Sequence, residues 1–292
     1  MEENLRQPPI LPVSSFDVFA EGLDHPEGLA FDDERVLWAG GELGQIYRID
    51  ASGGVVEVAR LGGFCLGLTF SARQELWVCN SGLHALMKVD RRGHLLEAAC
   101  QAGGRPLKTP NFSVFDQEGF LYFSDSGEWN REDGFVYCRR PDGAVVEIAG
   151  GVAFPNGLAL DATGRYLYVV LSQRDQVIRV PVALGRSTGA AEVYAAGLAR
   201  VPDGAAFDGM GNLYVTCYAS DCIYRVAPDV TVQLLACDPE GTLLARPTNV
   251  AFGGPRLEEL YVANLGRWHI ARATMTIAGQ PLANLSASGS LG

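Results

Sequence analysis

Short apolar segments separated by polar turns run through the whole chain, and one phrase among them recurs six times. Each copy joins a small or polar opening to an apolar–x–apolar run, which is the alternation of a half-buried β-strand. The copies follow one another about every 45 residues, a period typical of repeat architectures. They read PEGLAF (26–31), CLGLTF (65–70), PNFSVF (110–115), PNGLAL (155–160), PDGAAF (202–207) and TNVAFG (248–253).

Every copy is followed by further strand-like segments. The first begins with Leu and an aromatic residue in all six repeats, as in Leu37-Trp38 and Leu121-Tyr122, and Gly- or Asp-containing turns then separate two more segments as hairpins. Four short strands per repeat of about 45 residues are typical of a β-propeller blade. The sequence therefore predicts an all-β, six-bladed β-propeller with four-stranded blades.

The two ends of the chain predict how the ring closes. The sixth repeat has three strand-like segments and no good fourth, whereas SFDVFAEG (15–22) resembles the fourth strand of the other repeats. We therefore expect strand 15–20 to complete the last blade, which removes a free sheet edge. The predicted domain covers residues 15–282, with tails at 1–14 and 283–292.

Charge and cysteine content narrow the class of protein. The formal net charge of -11 disfavours nucleic acid and anionic membranes as partners. The 7 Cys show no CxxC spacing, and the start of the chain has neither a basic nor an apolar leader segment. The sequence also contains no apolar run long enough to span a bilayer. We therefore expect a cytoplasmic protein with reduced thiols, and we expect it to act on a small molecule.

The second residue of each phrase is the main candidate for chemistry. Because every innermost strand of a propeller begins on the same face, these six positions are expected to converge at the mouth of the central channel. They are Glu27, Leu66, Asn111, Asn156, Asp203 and Asn249. Two acids in a confined funnel with no basic residue among the six are costly unless a cation lies between them.

The oxygen donors at these positions predict the kind of cation. Glu27, Asn156 and Asp203, with Asn111 beside them, favour one hard divalent ion, with Ca²⁺ preferred over Mg²⁺ or Mn²⁺. Zn²⁺ also stays open, because ring geometry can outweigh ligand softness. The alternative interpretation is that Asn and Asp cap the turns into the strands, and it applies least to Glu27, which is not a turn former.

Four longer motifs resemble the senescence marker protein/gluconolactonase/luciferin-regenerating enzyme family of six-bladed propellers. They are PEGLAFD (26–32), PNGLALD (155–161), PDGAAFD (202–208) and PTNVAFGGP (247–255). The resemblance implies a divalent cation bound by Glu27, Asn156 and Asp203, with Asn111 facing substrate or a metal-bound water. It also implies hydrolysis of lactones, which is carboxylic ester hydrolase chemistry.

Departures from the family pattern predict a less polar mouth. Thr109 and Phe112 stand where family lactonases often carry Arg and Asp, with Lys108 or Arg105 as candidate substitutes, and Leu66 is flanked by Phe64 and Cys65. A hydrophobic substrate is therefore favoured over a hexose derivative. Further pocket candidates are Trp129 in the 124–134 loop, His84, Trp268, Asn80, Tyr218 and His269, and segment 101–110 is a candidate lid.

Three functional hypotheses follow. The first is a metal-dependent lactone or ester hydrolase in which Asp203 is both ligand and general base. The second is a lyase, isomerase or cyclase that uses the same ion without water, and it is motivated by Thr109 and Phe112. The third is a propeller that binds a partner without catalysis. No GxSxG, HExxH, P-loop or GxGxxG motif supports another enzyme class.

Overall fold

Each repeat forms one antiparallel sheet in the computed structural model, which describes residues 8–281. Six sheets are arranged in a ring, five with four strands and one with a short fifth strand added to its four, and two short 3-10 helices occur at Val13–Ser15 and Tyr218–Ser220. The predicted six-bladed propeller is confirmed. Over the same residues, no helix is both long enough and apolar enough to cross a membrane.

The strands follow the repeats closely. Blade one contains β2 (Leu29–Phe31), β3 (Leu37–Gly40), β4 (Gln45–Ile49) and β5 (Val55–Arg60). Blade two contains β6 (Cys65–Phe70), β7 (Leu76–Asn80), β8 (Ala85–Val89) and β9 (Leu95–Ala99). Blade three contains β12 (Pro110–Phe115), β13 (Leu121–Asp125), β14 (Gly134–Arg139) and β15 (Val145–Val152). A small hairpin, β10 (Gln101–Ala102) and β11 (Arg105–Pro106), precedes blade three.

The second half of the ring is built in the same way. Blade four contains β16 (Pro155–Leu160), β17 (Tyr166–Leu171), β18 (Gln176–Ala183) and β20 (Glu192–Ala196), and the short β19 (Arg186–Ser187) also pairs with β18. Blade five contains β21 (Pro202–Phe207), β22 (Leu213–Cys217), β23 (Cys222–Val226) and β24 (Val232–Cys237). Blade six contains β25 (Pro247–Gly253), β26 (Glu259–Asn264) and β27 (His269–Thr274). β1 (Phe16–Ala20) completes blade six.

The first strand closes the ring as predicted. β1 pairs antiparallel with β27, with Phe16 opposite Ala273. Part of the predicted N-terminal tail is also hydrogen-bonded, since the Ile10 and Leu11 amides donate to backbone carbonyls of β24 at 3.0 and 2.8 Å. Residues 1–7 and 283–292 of the predicted tails lie outside the described residues.

Apolar side chains fill the spaces between neighbouring blades. Within residues 8–281, six buried clusters occur, and each draws its members from two adjacent sheets. The Leu-aromatic pairs of the second strands supply much of this core, including Trp38 and Tyr122, each 1% exposed. The core is therefore a ring of packed clusters around the central channel.

Glycines beside the ring positions let the innermost strands approach closely. A Cβ on Gly157 would lie 2.3 Å from the carbonyl oxygen of Asp203, and one on Gly204 would lie 2.6 Å from that of Thr248. A side chain at either position would therefore force the backbones apart. The PNG and PDG motifs thus draw blades four, five and six together where the candidate ligands lie.

Candidate active site at the channel mouth

An irregularity at the start of the innermost strand positions the ring residues in blades two to six. The pairing with the second strand shifts register within 155–158 of blade four and within 202–205 of blade five. Asn156 and Asp203 each lie inside such a bulge. Bulges of this kind re-aim side chains next to active sites.

In blade six, Thr248 occupies the position equivalent to Asn156 and Asp203. The prediction of Asn249 at this position is therefore wrong by one residue. The register shift lies after Pro247, which takes the place of the opening proline in the other phrases. The Thr248 hydroxyl donates to the backbone carbonyl of Glu27 at 3.1 Å and joins blade six to blade one. Asn249 lies one residue further along and lines the central channel.

The structure brings Glu27, Asn156 and Asp203 together. Asn156 and Asp203 are 4% and 7% exposed, and the Asn156 side chain lies close enough to Asp203 to lower the pKa of its carboxyl. Glu27 is partly buried as a residue, and its charge acts directly on Asp203. Two oxygens of this group, Glu27 Oε2 and Asn156 Oδ1, are buried without a hydrogen-bond partner among the described residues.

Serine hydroxyls that directly follow the second strands hold the amides in place. Asn156 Nδ2 donates to Ser172 Oγ at 3.2 Å, and that hydroxyl donates to the Pro202 carbonyl at 2.7 Å. Asn111, which is 5% exposed, donates through Nδ2 to Ser126 Oγ at 3.0 Å in the equivalent arrangement. Because the Nδ2 group of Asn156 is engaged outward, its Oδ1 atom is left for a ligand.

The electrostatics of this group fit a bound cation. Burial raises the pKa of Glu27, and a hydrogen bond from Thr248 offsets part of that effect. Burial also raises the pKa of Asp203, the charge of Glu27 raises it further, and the Asn156 hydrogen bond lowers it in part. Unpartnered buried oxygens beside two acids are costly, and a hard divalent ion would satisfy them. The residues present therefore fit such an ion.

A cavity of about 310 Å³, here called the upper cavity, opens on the same face. Its walls come from segments that lead into innermost strands and from loops between second and third strands. The lining residues are His25, Glu42, Phe64, Tyr218, Arg246, Leu265, Gly266 and Trp268. His25 stands two residues before Glu27, so the cavity adjoins the candidate ligands along the chain.

His25 is held on one side of the upper cavity. Its Nδ1 atom lies 2.7 Å from Asp24 Oδ1 and 2.8 Å from Glu42 Oε2. Gln45 Nε2 donates to the other oxygen of Asp24 at 2.8 Å. The imidazole also contacts the indole of Trp268, with ring centroids 4.4 Å apart. These contacts fix the orientation of the imidazole at the rim.

The two predicted tryptophans occupy different parts of the rim. Trp268 is 49% exposed and lines the upper cavity. Trp129 is equally exposed, but its ring packs edge-on against Phe154, just before the innermost strand of blade four. The predicted aromatic character of the mouth is therefore present, with Phe64 and Tyr218 adding to the wall beside Trp268.

Phe112 lies below the ring positions. It lines a second cavity of about 530 Å³ that is formed by the innermost strands of all six blades. Gln280 crosses the far end of this channel, donating from its backbone amide to Phe207 O at 3.0 Å and from Nε2 to Leu160 O at 3.1 Å. Phe112 therefore shapes the channel and is separate from the upper cavity.

Several predicted pocket residues make contacts within the fold. Thr109 Oγ1 donates to the Gly127 carbonyl at 2.8 Å and ties the segment before blade three to the 124–134 loop. His84 is exposed and donates from Nδ1 to the Lys108 carbonyl. These side chains support loops beside the mouth.

The candidate substitutes for the missing arginine are both paired. Lys108 Nζ lies 2.7 Å from carboxylate oxygens of Glu128 and Asp133. Arg105 stacks over Phe135 and pairs with Glu147 on the outer strand of its blade. Both cations therefore have partners within blade three, and their role as substitutes for the arginine stays a prediction.

Segment 101–110 is anchored in the core. Its β10–β11 hairpin places Ala102 and Leu107, 2% and 4% exposed, between blades two and three. Asn80 and His269 are also buried, and both hydrogen-bond to backbone groups. Burial raises the pKa of Cys65 to about 12, which suits a small core residue better than a nucleophile.

Three ionisable residues of the upper cavity are absent from the sequence-based prediction: His25, Glu42 and Arg246. His25 and Arg246 occupy the same place in their repeats, immediately before the proline of the phrase, and both have positive φ (44° and 52°). Phe154 and Val201, at the same place before Pro155 and Pro202, also have positive φ (53° and 59°), so this conformation belongs to the repeat. The position of His25 and Arg246, directly before the proline of the phrase, could have identified them from the sequence. Glu42 lies in a loop without a repeated pattern, so the sequence contains no such signal for it.

Comparison with known proteins identifies the family of the chain. Residues 25–265 match the family described as the SMP-30/Gluconolactonase/LRE-like region. The chain is 31% identical over 187 residues to a gluconolactonase of Zymomonas mobilis, a match that covers 56% of this chain and 51% of that protein, so it spans about half the relative's length. It is 31% identical over 250 residues to a 6-deoxy-6-sulfogluconolactonase of Pseudomonas putida, covering 79% of each chain.

A solved structure supports the fold independently. The calcium-binding protein regucalcin of Agrobacterium tumefaciens superposes with a TM-score of 0.78 at 20% identity, over 94% of this chain and 98% of that one. At that identity the likeness concerns the fold alone. The family match, by contrast, covers most of the chain and includes Glu27, Asn156 and Asp203. The chain therefore belongs to the SMP-30/gluconolactonase/LRE-like family.

Proposed function

We propose that the protein is a hydrolase that opens a lactone or related ester with one divalent cation held by Glu27, Asn156 and Asp203. The observation that carries the proposal is the pair of buried, unpartnered oxygens, Glu27 Oε2 and Asn156 Oδ1, beside a second buried acid. Relatives named gluconolactonase and 6-deoxy-6-sulfogluconolactonase support a lactone as the substrate class. A structural neighbour named as calcium-binding supports Ca²⁺ as the first ion to test.

The protein's own residues divide the work. Glu27 and Asp203 supply two negative charges, and Asn156 supplies a neutral oxygen whose direction is fixed by Ser172. When bound, the divalent cation supplies Lewis acidity to the substrate carbonyl and keeps both carboxyls charged. Asn111, held by Ser126, orients the substrate beside them.

Asp203 takes the proton of the attacking water. The water oxygen forms a bond to the acyl carbon, the ring C–O bond breaks, and Asp203 passes the proton to the leaving alkoxide, which gives a hydroxy acid and restores the carboxylate. A positioned carboxylate of this kind contributes roughly 10²- to 10⁴-fold to the rate. Burial of Asp203 at the foot of the mouth limits competing contacts with bulk water.

The experiment combines elemental analysis with a panel of lactones. Purified protein, the Glu27→Ala variant and the exposed control Glu21→Ala are analysed for bound metal and assayed before and after chelation. We expect about one divalent ion per chain and lactone opening in the wild type and in Glu21→Ala. Glu27→Ala should lose both the ion and the activity.

Other outcomes identify the rival functions. A bound ion without opening of any lactone would contradict hydrolysis and favour a lyase, isomerase or cyclase at the same residues. Absence of stoichiometric metal, with ligand binding unaffected in Glu27→Ala, would instead indicate a binding propeller.

A further inference from the structure

The upper cavity is lined by an exposed arginine, Arg246, whose backbone is held by two hydrogen bonds. The Arg246 amide donates to Asp221 Oδ1 at 2.6 Å, and its carbonyl accepts a hydrogen bond from the Leu265 amide at 3.2 Å. These two bonds hold the backbone in its left-handed conformation. The guanidinium then lies over the ring of Tyr218, with its carbon 5.1 Å from the ring centroid. An Arg stacked on an aromatic ring keeps its in-plane N–H donors free for a planar anion.

No ion pair of Arg246 occurs within residues 8–281. The other cations proposed for substrate contact differ in this respect, because Lys108 is paired with Glu128 and Asp133. The carboxylate that shares the cavity, Glu42, is bound to His25 at 2.8 Å. Arg246 therefore brings to the cavity wall a positive charge that is not paired with any carboxylate of the described residues.

The two sides of the cavity have different chemistry. Arg246 and Tyr218 form one side, while His25, with its acidic partners, and Trp268 form the other. The aromatic surfaces suit a flat apolar group between them, and the free N–H donors suit an anion at one end of that group. A carboxylate or sulfonate matches the fork of an Arg side chain in geometry as well as charge.

We infer that Arg246 selects substrates in which a flat apolar group carries an anionic substituent, and that this substituent is separate from the bond that is broken. This inference rests on the proposed function, since it concerns the substrate class of the same site. Arg246 acts in it as a specificity-determining residue and takes no part in proton transfer.

Two matched lactones test the inference. Dihydrocoumarin-6-carboxylate and dihydrocoumarin-6-carboxamide have nearly the same size and the same reacting bond, and they differ in charge. We expect kcat/KM to favour the carboxylate by about tenfold or more in the wild type, the effect of a hydrogen bond to a charged group. Arg246→Gln should reduce that ratio to about one, mainly by lowering kcat/KM for the carboxylate.

Two further variants control for charge and for folding. Arg267→Gln removes an exposed arginine of the same blade whose Nε donates to the Gly241 carbonyl, and it should leave the ratio unchanged. Arg246→Lys keeps the charge without the planar fork, so its ratio should be intermediate. Equal loss of both substrates in Arg246→Gln, or no preference in the wild type, would overturn the inference.

A binding measurement separates this inference from the proposed function. The lactam analogues, dihydroquinolinone-6-carboxylate and its 6-carboxamide, are not opened, and their dissociation constants are measured by calorimetry. Tighter binding of the carboxylate that is lost in Arg246→Gln supports the anion site even if no lactone is hydrolysed. Hydrolysis without any such preference would sustain the proposed function and reject the anion site.

Discussion

The carboxyl groups of Glu27 and Asp203, from blade one and blade five, lie near enough for the charge of Glu27 to raise the pKa of Asp203. Burial raises the pKa of both groups. Neither arginine nor lysine lines the point at which they meet within the described residues, so protons or a cation must relieve the pair. The first prediction follows from this relationship.

Metal-free protein should become less stable as the pH rises. The pKa values of both carboxyl groups are higher in the folded state than in the unfolded chain. At pH values between the unfolded and the folded pKa, the folded state therefore binds more protons than the unfolded chain. The free energy of unfolding therefore falls from the ordinary carboxyl range near pH 4 up into the neutral range. Urea unfolding of chelator-treated protein at a series of pH values measures this effect.

The Glu27→Gln variant isolates the contribution of the pair. It lacks one acid, so its stability should depend less steeply on pH, and added Ca²⁺ should stabilise it less than the wild type. Identical pH slopes in the two proteins would show that the pair is not under electrostatic stress.

Asp203→Asn should leave the fold intact while activity is lost. The amide replaces the carboxylate with nearly the same shape, but it cannot accept the proton of water, so kcat/KM for a lactone should fall by about 10²- to 10⁴-fold. Asp142→Asn, in an exposed turn of blade three, is the matched control and should keep full activity. Circular dichroism checks the fold, and retained activity in Asp203→Asn would remove this residue from the mechanism.

The repeated part of the fold was predictable because each blade restates the same local pattern. Six copies of one phrase determined the number of blades, and the surplus strand at Phe16–Ala20 determined how they close. The convergence of Glu27, Asn156 and Asp203 followed from symmetry, since equivalent residues of a ring share one level around its axis. No side-chain detail was needed for that step.

The side-chain partners could not be read from the repeat. Whether Thr248 or Asn249 takes the ring position depends on where the register shift falls in blade six. The sequence does not alternate between apolar and polar residues at that point, so it does not locate the shift. Lys108 meets Glu128 and Asp133 only because the 124–134 loop folds back over the segment before blade three. Such loop geometry has no repeated signal, so the rim was predicted less well than the ring.

Gly157→Ala should weaken metal binding without touching a ligand. The new Cβ would lie 2.3 Å from the Asp203 carbonyl oxygen, so blades four and five must separate at the level of the site. We expect at least about tenfold weaker Ca²⁺ binding by calorimetry, because small displacements of ligands are costly for a site of fixed geometry. In Gly209→Ala the new atom would be 3.4 Å from its nearest neighbour, so that control should bind like the wild type.

Removal of the Phe16 ring should destabilise the whole propeller, because this side chain fixes the closing strand. Phe16 is 4% exposed and packs into the cluster between blades five and six, so Phe16→Ala leaves a cavity at the closure and should cost about 3–5 kcal/mol in urea unfolding. Val18→Ala, on the same strand but 38% exposed, should cost less than about 1 kcal/mol. If the two variants were equally stable, pairing of β1 with β27 would hold the ring without help from the core, and closure would rest on backbone hydrogen bonds alone.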